Sequence, residues 1–129
     1  MEKYHFDKSL RLLDAPAYKA VFDNAKLKVS TQQLLFLAHP NGMTYPRIGL
    51  VVAKKNAKHA VQRNRIKRIA RESFRLMQHQ LTGIDTIVLA RRGLDQMNNP
   101  TLHSMFAQLW QQLQHQVEKR ARQPHKIDS

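Results

Sequence analysis

Arg47-Ile48-Gly49-Leu50-Val51-Val52-Ala53 is a short run with both faces small or apolar, and it leads directly into Lys54-Lys55 and a long basic segment. A strand without polar alternation is covered on both sides, so this run predicts a central strand. Residues 54–80 predict a long helix with a basic entry, ended by Thr82-Gly83. Ile84-Asp85-Thr86-Ile87-Val88-Leu89-Ala90-Arg91 then reads as another strand. Strand, helix and strand in succession form a crossover unit, with the helix laid on the sheet.

The flanking segments extend this core. Upstream, Asp14-Ala15-Pro16 has the residues of a helix start, with Asp able to cap free N–H groups and Pro tolerated in the first turn. Tyr18, Val21, Phe22 and Ala25 follow at helical spacing, giving a helix over 15–24. Residues 27–38 turn β-like, interrupted by the polar Ser30-Thr31-Gln32-Gln33, and His39-Pro40-Asn41-Gly42 is dense in turn formers. Downstream, Asn99-Pro100 predicts a cap followed by Pro at the first helical position. Leu102, Met105, Phe106, Leu109, Leu113 and Val117 then define an amphipathic helix. The expected fold is α+β, a two-layer α/β sandwich in the order α-β-β-(β)-α-β-α. A single domain over 1–118 carries it, with a polar tail over 119–129.

The chain has 129 residues, 22 Lys+Arg and 9 Asp+Glu, for a formal charge of +13. A surface of that sign attracts phosphates, and its distribution is uneven. Lys54, Lys55, Lys58, Arg63, Arg65, Lys67, Arg68, Arg71 and Arg75 crowd together with one acid, Glu72. On a helical wheel with Ile66 at zero, Ile69, Ala70, Ser73, Phe74 and Met77 fall between about −60° and +80°, while Asn64, Arg65, Lys67, Arg68, Arg71 and Arg75 fall between about +100° and +260°. Val61 falls outside the apolar arc, so the regular helix is expected to begin near or after it. A solvated helix face normally mixes signs, because each i,i+4 repulsion costs roughly 0.2–0.5 kcal/mol. Here Arg63/Lys67, Lys67/Arg71 and Arg71/Arg75 all repel, so the face is suited to an anionic partner. Arginine gives bidentate phosphate contacts. Asn64 suits either a base edge, ribose or hydrated ion, or a local capping role.

Other function classes are poorly served. The absence of cysteine removes disulfides, thiolate metal sites and Cys nucleophiles. The apolar runs, such as 34–38 and 50–53, are too short to span a bilayer. The start of the chain leads into no apolar signal segment, so a cytoplasmic protein is expected. No two of the nine acids lie closer than five residues, and the seven histidines form no HxH or HExxH spacing. A protein-borne two-metal nuclease needs converging carboxylates, so no catalytic side chain and no metal ligand are expected.

Lys54-Lys55, Ala60-Val61-Gln62-Arg63-Asn64-Arg65-Ile66-Lys67-Arg68 and Arg71-Glu72-Ser73-Phe74-Arg75 together resemble the signature of the bacterial ribonuclease P protein family. Leu10-Arg11-Leu12-Leu13, the segment 47–55 and Ile87-Val88-Leu89-Ala90-Arg91 extend the likeness. The loop at 41–45 and the tail lie outside it, and Asn56-Ala57-Lys58-His59 departs from the family's glycine-containing form. The resemblance implies a fold like ribosomal protein S5 domain 2, with the basic helix in a left-handed βαβ crossover. It implies a subunit of a ribonucleoprotein endonuclease whose catalytic RNA, with Mg²⁺ held mainly by that RNA, removes the 5′ leader of precursor tRNA. Neither a membrane nor an obligate protein partner is implied. The implied RNA-binding residues are Lys54, Lys55, Arg63, Asn64, Arg65, Lys67, Arg68 and Arg71. Tyr18, Phe22 and Phe36 are implied to line the leader groove, although periodicity alone makes Phe22 and Phe36 core aromatics. The alternatives are a structural RNA-binding protein of the ribosome and a DNA-binding protein; the latter is disfavoured by the crossover position of the helix.

Overall fold

The computed structural model describes residues 10–12 and 14–122. Helix α1 (Ala15–Asn24) is followed by strands β1 (Leu27–Ser30), β2 (Leu34–Pro40) and β3 (Arg47–Val51), helix α2 (Ala60–Met77), strand β4 (Ile84–Ala90) and helix α3 (Asn99–Arg122). A short 3-10 turn, Leu94–Gln96, precedes α3. Asp14 caps α1, its Oδ1 accepting from the Ala17 N–H at 3.0 Å. The polar break is a hairpin turn: the Thr31 hydroxyl accepts from the N–H groups of Gln33 and Leu34 at 3.2 and 3.1 Å, so the β-like run divides into two strands.

The sheet order is β1-β2-β4-β3, with β3 parallel to β4 and the other pairs antiparallel. The segment expected to be central, β3, is therefore an edge strand, and β4 is interior. A short apolar run cannot distinguish the two, because β3 is covered on both faces and along its free edge. Gly49 faces Tyr18 of α1, Ile48 joins the core beneath α2 and α3, and the Leu12 N–H donates to the Ile48 carbonyl at 2.9 Å.

Strand alternation assigns the two sheet faces. Phe36, Ile48, Val88 and Ala90 meet α2 and α3, whereas Ile87, Leu37, Val51 and Leu89 lie on the α1 side with Leu12 and Val21. The α2 arc read from the wheel is buried at Ile66, Ile69, Ala70, Ser73 and Phe74. Trp110 of α3 locks it: its indole N–H donates to Ser73 Oγ at 2.8 Å, and its ring lies 5.6 Å from Phe74 and 4.4 Å from Phe36.

Four boundaries differ from expectation, one of them the end of α2, which stops at Met77 and not at 80. Helix α2 starts at Ala60, because Ala53 O accepts from the N–H groups of Asn56 and Ala57 and holds the preceding residues in a turn. Val61 is then an exposed first-turn residue, which explains its misfit on the wheel. Asn98, not Asn99, caps α3, its Oδ1 accepting from the Thr101 N–H at 3.0 Å. Helix α3 also runs on through Arg122, taking in the first four residues of the expected tail; 123–129 lie outside the described residues. Near its C-terminal end, the Gln116 carboxamide accepts from the Lys28 N–H at 3.3 Å and donates to the Lys28 carbonyl at 3.1 Å, covering the free edge of β1.

Candidate nucleic-acid interface

Packing of Ile66, Ile69, Ala70, Ser73 and Phe74 fixes the rotation of α2, so the opposite face necessarily turns outward. The polar residues on and beside that face differ in exposure and in their partners. Asn64 and Arg68 are exposed, as are Lys54 and Lys55 on the turn before the helix. Lys67, Arg68 and Arg71 have no hydrogen bond or ion pair to any described residue. Burial holds the Arg71 guanidinium below the usual arginine range, and the nearby charge of Arg11 pushes the same way.

The two arginines beside Asn64 are tied inward instead. Arg63 Nη1 donates to the carbonyls of Ala57 and Lys58 at 3.0 and 2.8 Å, pinning the turn that enters α2. Arg65 donates from Nε to Gln62 at 2.8 Å, from Nη1 to Asn99 Oδ1 at 2.8 Å and from Nη2 to the Asp95 carbonyl at 3.1 Å, tying α2 to the start of α3. Sequence reasoning grouped Arg65 with the free cations because a wheel shows direction and not partners, and Arg63 joined them through the family resemblance. The capping role considered for Asn64 has no counterpart, since it makes no hydrogen bond to a described residue.

On the other side of the sheet, Tyr18 lies flat on β3. Its hydroxyl accepts from the Leu50 N–H at 3.1 Å, and a Cβ at Gly49 would sit 2.8 Å from its ring carbons. Phe22, one helical turn on, is 45% exposed. Phe36 does not join them. It is fully buried on the α2–α3 side, in tilted ring contact with Trp110 and Phe106, and cannot line a surface groove. The α1 side instead carries Leu35 and Leu37, one residue either side, with Leu89 and Val51, all half-buried. A one-residue change of parity moves a strand side chain to the opposite face. Because residues 34–38 are apolar throughout, the sequence offered no alternation to fix that parity.

No three His, Asp or Glu side chains cluster among the described residues, and the buried Asp85 is saturated by Arg47 at 2.9 and 2.6 Å and by Asn41 at 2.8 Å.

A family model described as "Ribonuclease P" matches residues 6–114, nearly the whole chain. The chain belongs to the ribonuclease P protein family. Among curated relatives, the ribonuclease P protein component of Chromohalobacter salexigens is 48% identical over 121 residues, covering 94% of each chain. That of Pseudomonas aeruginosa is 52% identical over 108 residues, covering 84% of this chain and 80% of the relative. Among solved structures, the RNase P protein of Staphylococcus aureus superposes with a TM-score of 0.69 at 25% identity, covering 89% of this chain and 97% of that one. The Thermotoga maritima RNase P protein gives 0.64 at 27% identity, covering 76% and 89%. The ribonuclease P assignment accounts for the mixed four-stranded sheet and makes the chain a component of a tRNA-processing endoribonuclease that partners the ribonuclease P RNA. No helix among the described residues is long and apolar enough to cross a membrane.

Proposed function

We propose that the chain docks on the catalytic RNA of ribonuclease P through α2 and holds the single-stranded 5′ leader of precursor tRNA on the α1 side of the sheet. One observation carries this reading: Lys67, Arg68 and Arg71 share an outward helix face with no partner among the described residues, while Trp110 and Ser73 fix the opposite face. A rigid helix presents those cations at fixed spacing, which favours binding because little backbone order remains to be imposed. Lys54, Lys55 and Asn64 extend the same surface. Tyr18 and Phe22, over the apolar floor of Leu37, Val51 and Leu89, suit unstacked bases of any sequence.

In this reading Mg²⁺ and the hydrolytic step belong to the RNA, and the complex works in the cytoplasm. The donor chemistry supports the division, since the carboxylates are scattered and Asp85 is committed to Arg47 and Asn41. The test is cleavage of precursor tRNA at low Mg²⁺ with the protein alone, the cognate RNA alone and both. Cleavage is expected from the RNA, enhanced by the protein. Cleavage by the protein alone would overturn the assignment of chemistry to the RNA, and co-purification with a ribosomal subunit instead of that RNA would overturn the whole reading.

A further inference from the structure

A cleft of about 680 Å³ opens where the start of α2, the 3-10 turn and the start of α3 meet. That volume lies within the range of small-molecule sites, roughly 300–1,000 Å³. None of its lining comes from α1 or from the sheet. Arg65 and Asp95 balance one another in its wall, in contrast to the cationic face of α2 that carries Lys67, Arg68 and Arg71.

The carboxamides of this cleft are oriented by their partners. A guanidinium and a backbone N–H can only donate. The atoms that meet Arg65 at Gln62 and Asn99 are therefore amide oxygens, as is the one that meets the Thr101 N–H at Asn98. With all three oxygens engaged, the three NH₂ groups remain without an acceptor among the described residues. The Asp95 carboxylate has no partner there either, because Arg65 takes the Asp95 main-chain carbonyl instead. The cleft thus offers several neutral donors beside one anionic acceptor. A phosphate would be repelled by the carboxylate, whereas a base edge bearing both donors and acceptors fits. Guanine has that edge: its ring N1–H and 2-amino group form an adjacent donor pair for a carboxylate, and its O6 and N7 are adjacent acceptors for amide NH₂ groups. Adenine places an acceptor at N1, where the carboxylate needs a donor. Met97 and Pro100 add apolar surface, and His59 a flat ring, for the faces of a base.

We propose that this cleft is a base-reading site for one unpaired guanine, with Asp95 accepting from its N1–H and 2-amino group and the NH₂ groups of Gln62, Asn98 and Asn99 as the donors for O6 and N7. Arg65 is a positioning residue in it, since its forked contacts turn Gln62 and Asn99 so that only their NH₂ groups are left to give. The guanine must be unpaired, because a duplex occupies the edge that Asp95 would read. The site adds sequence preference to a surface whose other contacts are sequence-independent. The proposal rests on the function above only for the source of the base, the catalytic RNA or the leader.

The first test follows the side-chain NH₂ signals of the isotope-labelled full chain by NMR during titration with guanosine, inosine and adenosine 5′-monophosphates. The three share one phosphate and differ only in the base, and the inosine base is guanine without its 2-amino group. Wild type binds the guanosine compound about tenfold more tightly than either of the others, as one charge-assisted hydrogen bond allows, with shifts at Gln62, Asn98 and Asn99. Asp95→Asn brings the guanosine and inosine compounds within about twofold of each other. Gln62→Glu still accepts from Arg65 but loses a donor, so it weakens the guanosine compound severalfold and reads the same site if Asp95→Asn disturbs the 3-10 turn. Equal affinities of wild type for all three, or a guanosine preference kept in both variants, overturns the site. The second test measures binding of the cognate catalytic RNA and of a single-stranded leader oligonucleotide containing guanine. Removing an acid from a cationic protein strengthens its general attraction to RNA, as Glu118→Gln, exposed on α3 and outside the cleft, should. Asp95→Asn instead weakens binding severalfold at an unchanged salt slope, because a base contact releases no counterion. The RNA that loses affinity is the source of the base, and equal or tighter binding of both by Asp95→Asn overturns its nucleic-acid origin. Failure of wild type to bind either RNA would sink the proposed function while leaving the nucleotide preference standing.

Discussion

Arg65→Ala is expected to destabilise the fold more than it weakens electrostatic RNA binding, the reverse of Arg68→Ala. The Arg65 side chain is half-buried and donates three hydrogen bonds, to Gln62, Asn99 and the Asp95 carbonyl. A typical net bond contributes about 1 kcal/mol, and bonds from charged groups somewhat more. Asn99 is solvent-exposed, so water replaces part of the loss and the sum is about 2 kcal/mol. With an unfolding entropy of roughly 2.1 cal/mol/K per residue, that corresponds to a Tm lowered by about 7 °C. Arg68 has no such partners, and its removal should stay within about 0.5 kcal/mol, or roughly 2 °C. Thermal melts followed by circular dichroism measure this half of the contrast. Binding to the cognate RNA across a salt series measures the other, with a slope reduction of about 0.7–0.9 for Arg68→Ala and a smaller one for Arg65→Ala. Arg65→Lys should recover little of the lost Tm, because an ammonium cannot reproduce the forked contacts. An unchanged Tm for Arg65→Ala together with a full drop in slope would refute the reasoning and make Arg65 an ordinary phosphate ligand.

Other outcomes follow from the two sheet faces. Phe36→Ala should cost about 3–5 kcal/mol in chemical denaturation, as for other buried aromatics. Phe22→Ala should cost about 1 kcal/mol yet weaken binding of precursor tRNA more than of mature tRNA; equal weakening of both would return Phe22 to a structural role. Asp85→Ala strands Arg47 and Asn41 and should cost about 2–4 kcal/mol, below the fully buried limit because the Arg47 side chain is 23% exposed. A loss under 1 kcal/mol would show that the pair is dispensable. Gly49→Ala forces the Tyr18 ring off β3 and should cost about 1–3 kcal/mol in chemical denaturation, the usual penalty for overpacking.

The parts of the fold visible in the sequence were those governed by one strong periodicity. The α2 arc from Ile66 to Phe74 and the α3 stripe from Leu102 to Val117 each pack as their spacing requires. Asp14 announces itself because its side chain acts within three residues of its own position. What escaped depended on contacts distant in the chain. The edge position of β3 depends on Leu12 and Tyr18 covering it, and the parity of Phe36 on the register of β2 against β4. The basic window was similarly divided: its charge and its direction were readable, but Arg65 meets Asn99 across 34 residues of chain, and that contact separates a brace from a free cation.

Gln116 has a consequence beyond the packing of α3. A polyanion gathers cationic chains at high local density, and exposed strand edges that meet at high density pair with one another. By offering Lys28 both a carbonyl and an N–H, the Gln116 carboxamide imitates one residue of a neighbouring strand and terminates the sheet as a chain stopper ends a polymer. The lysine side chain beside it adds like-charge repulsion to any second copy. The same charge that crowds these molecules onto RNA is thereby kept from turning crowding into aggregation, and Gln116→Ala marks the position where that protection would first be lost.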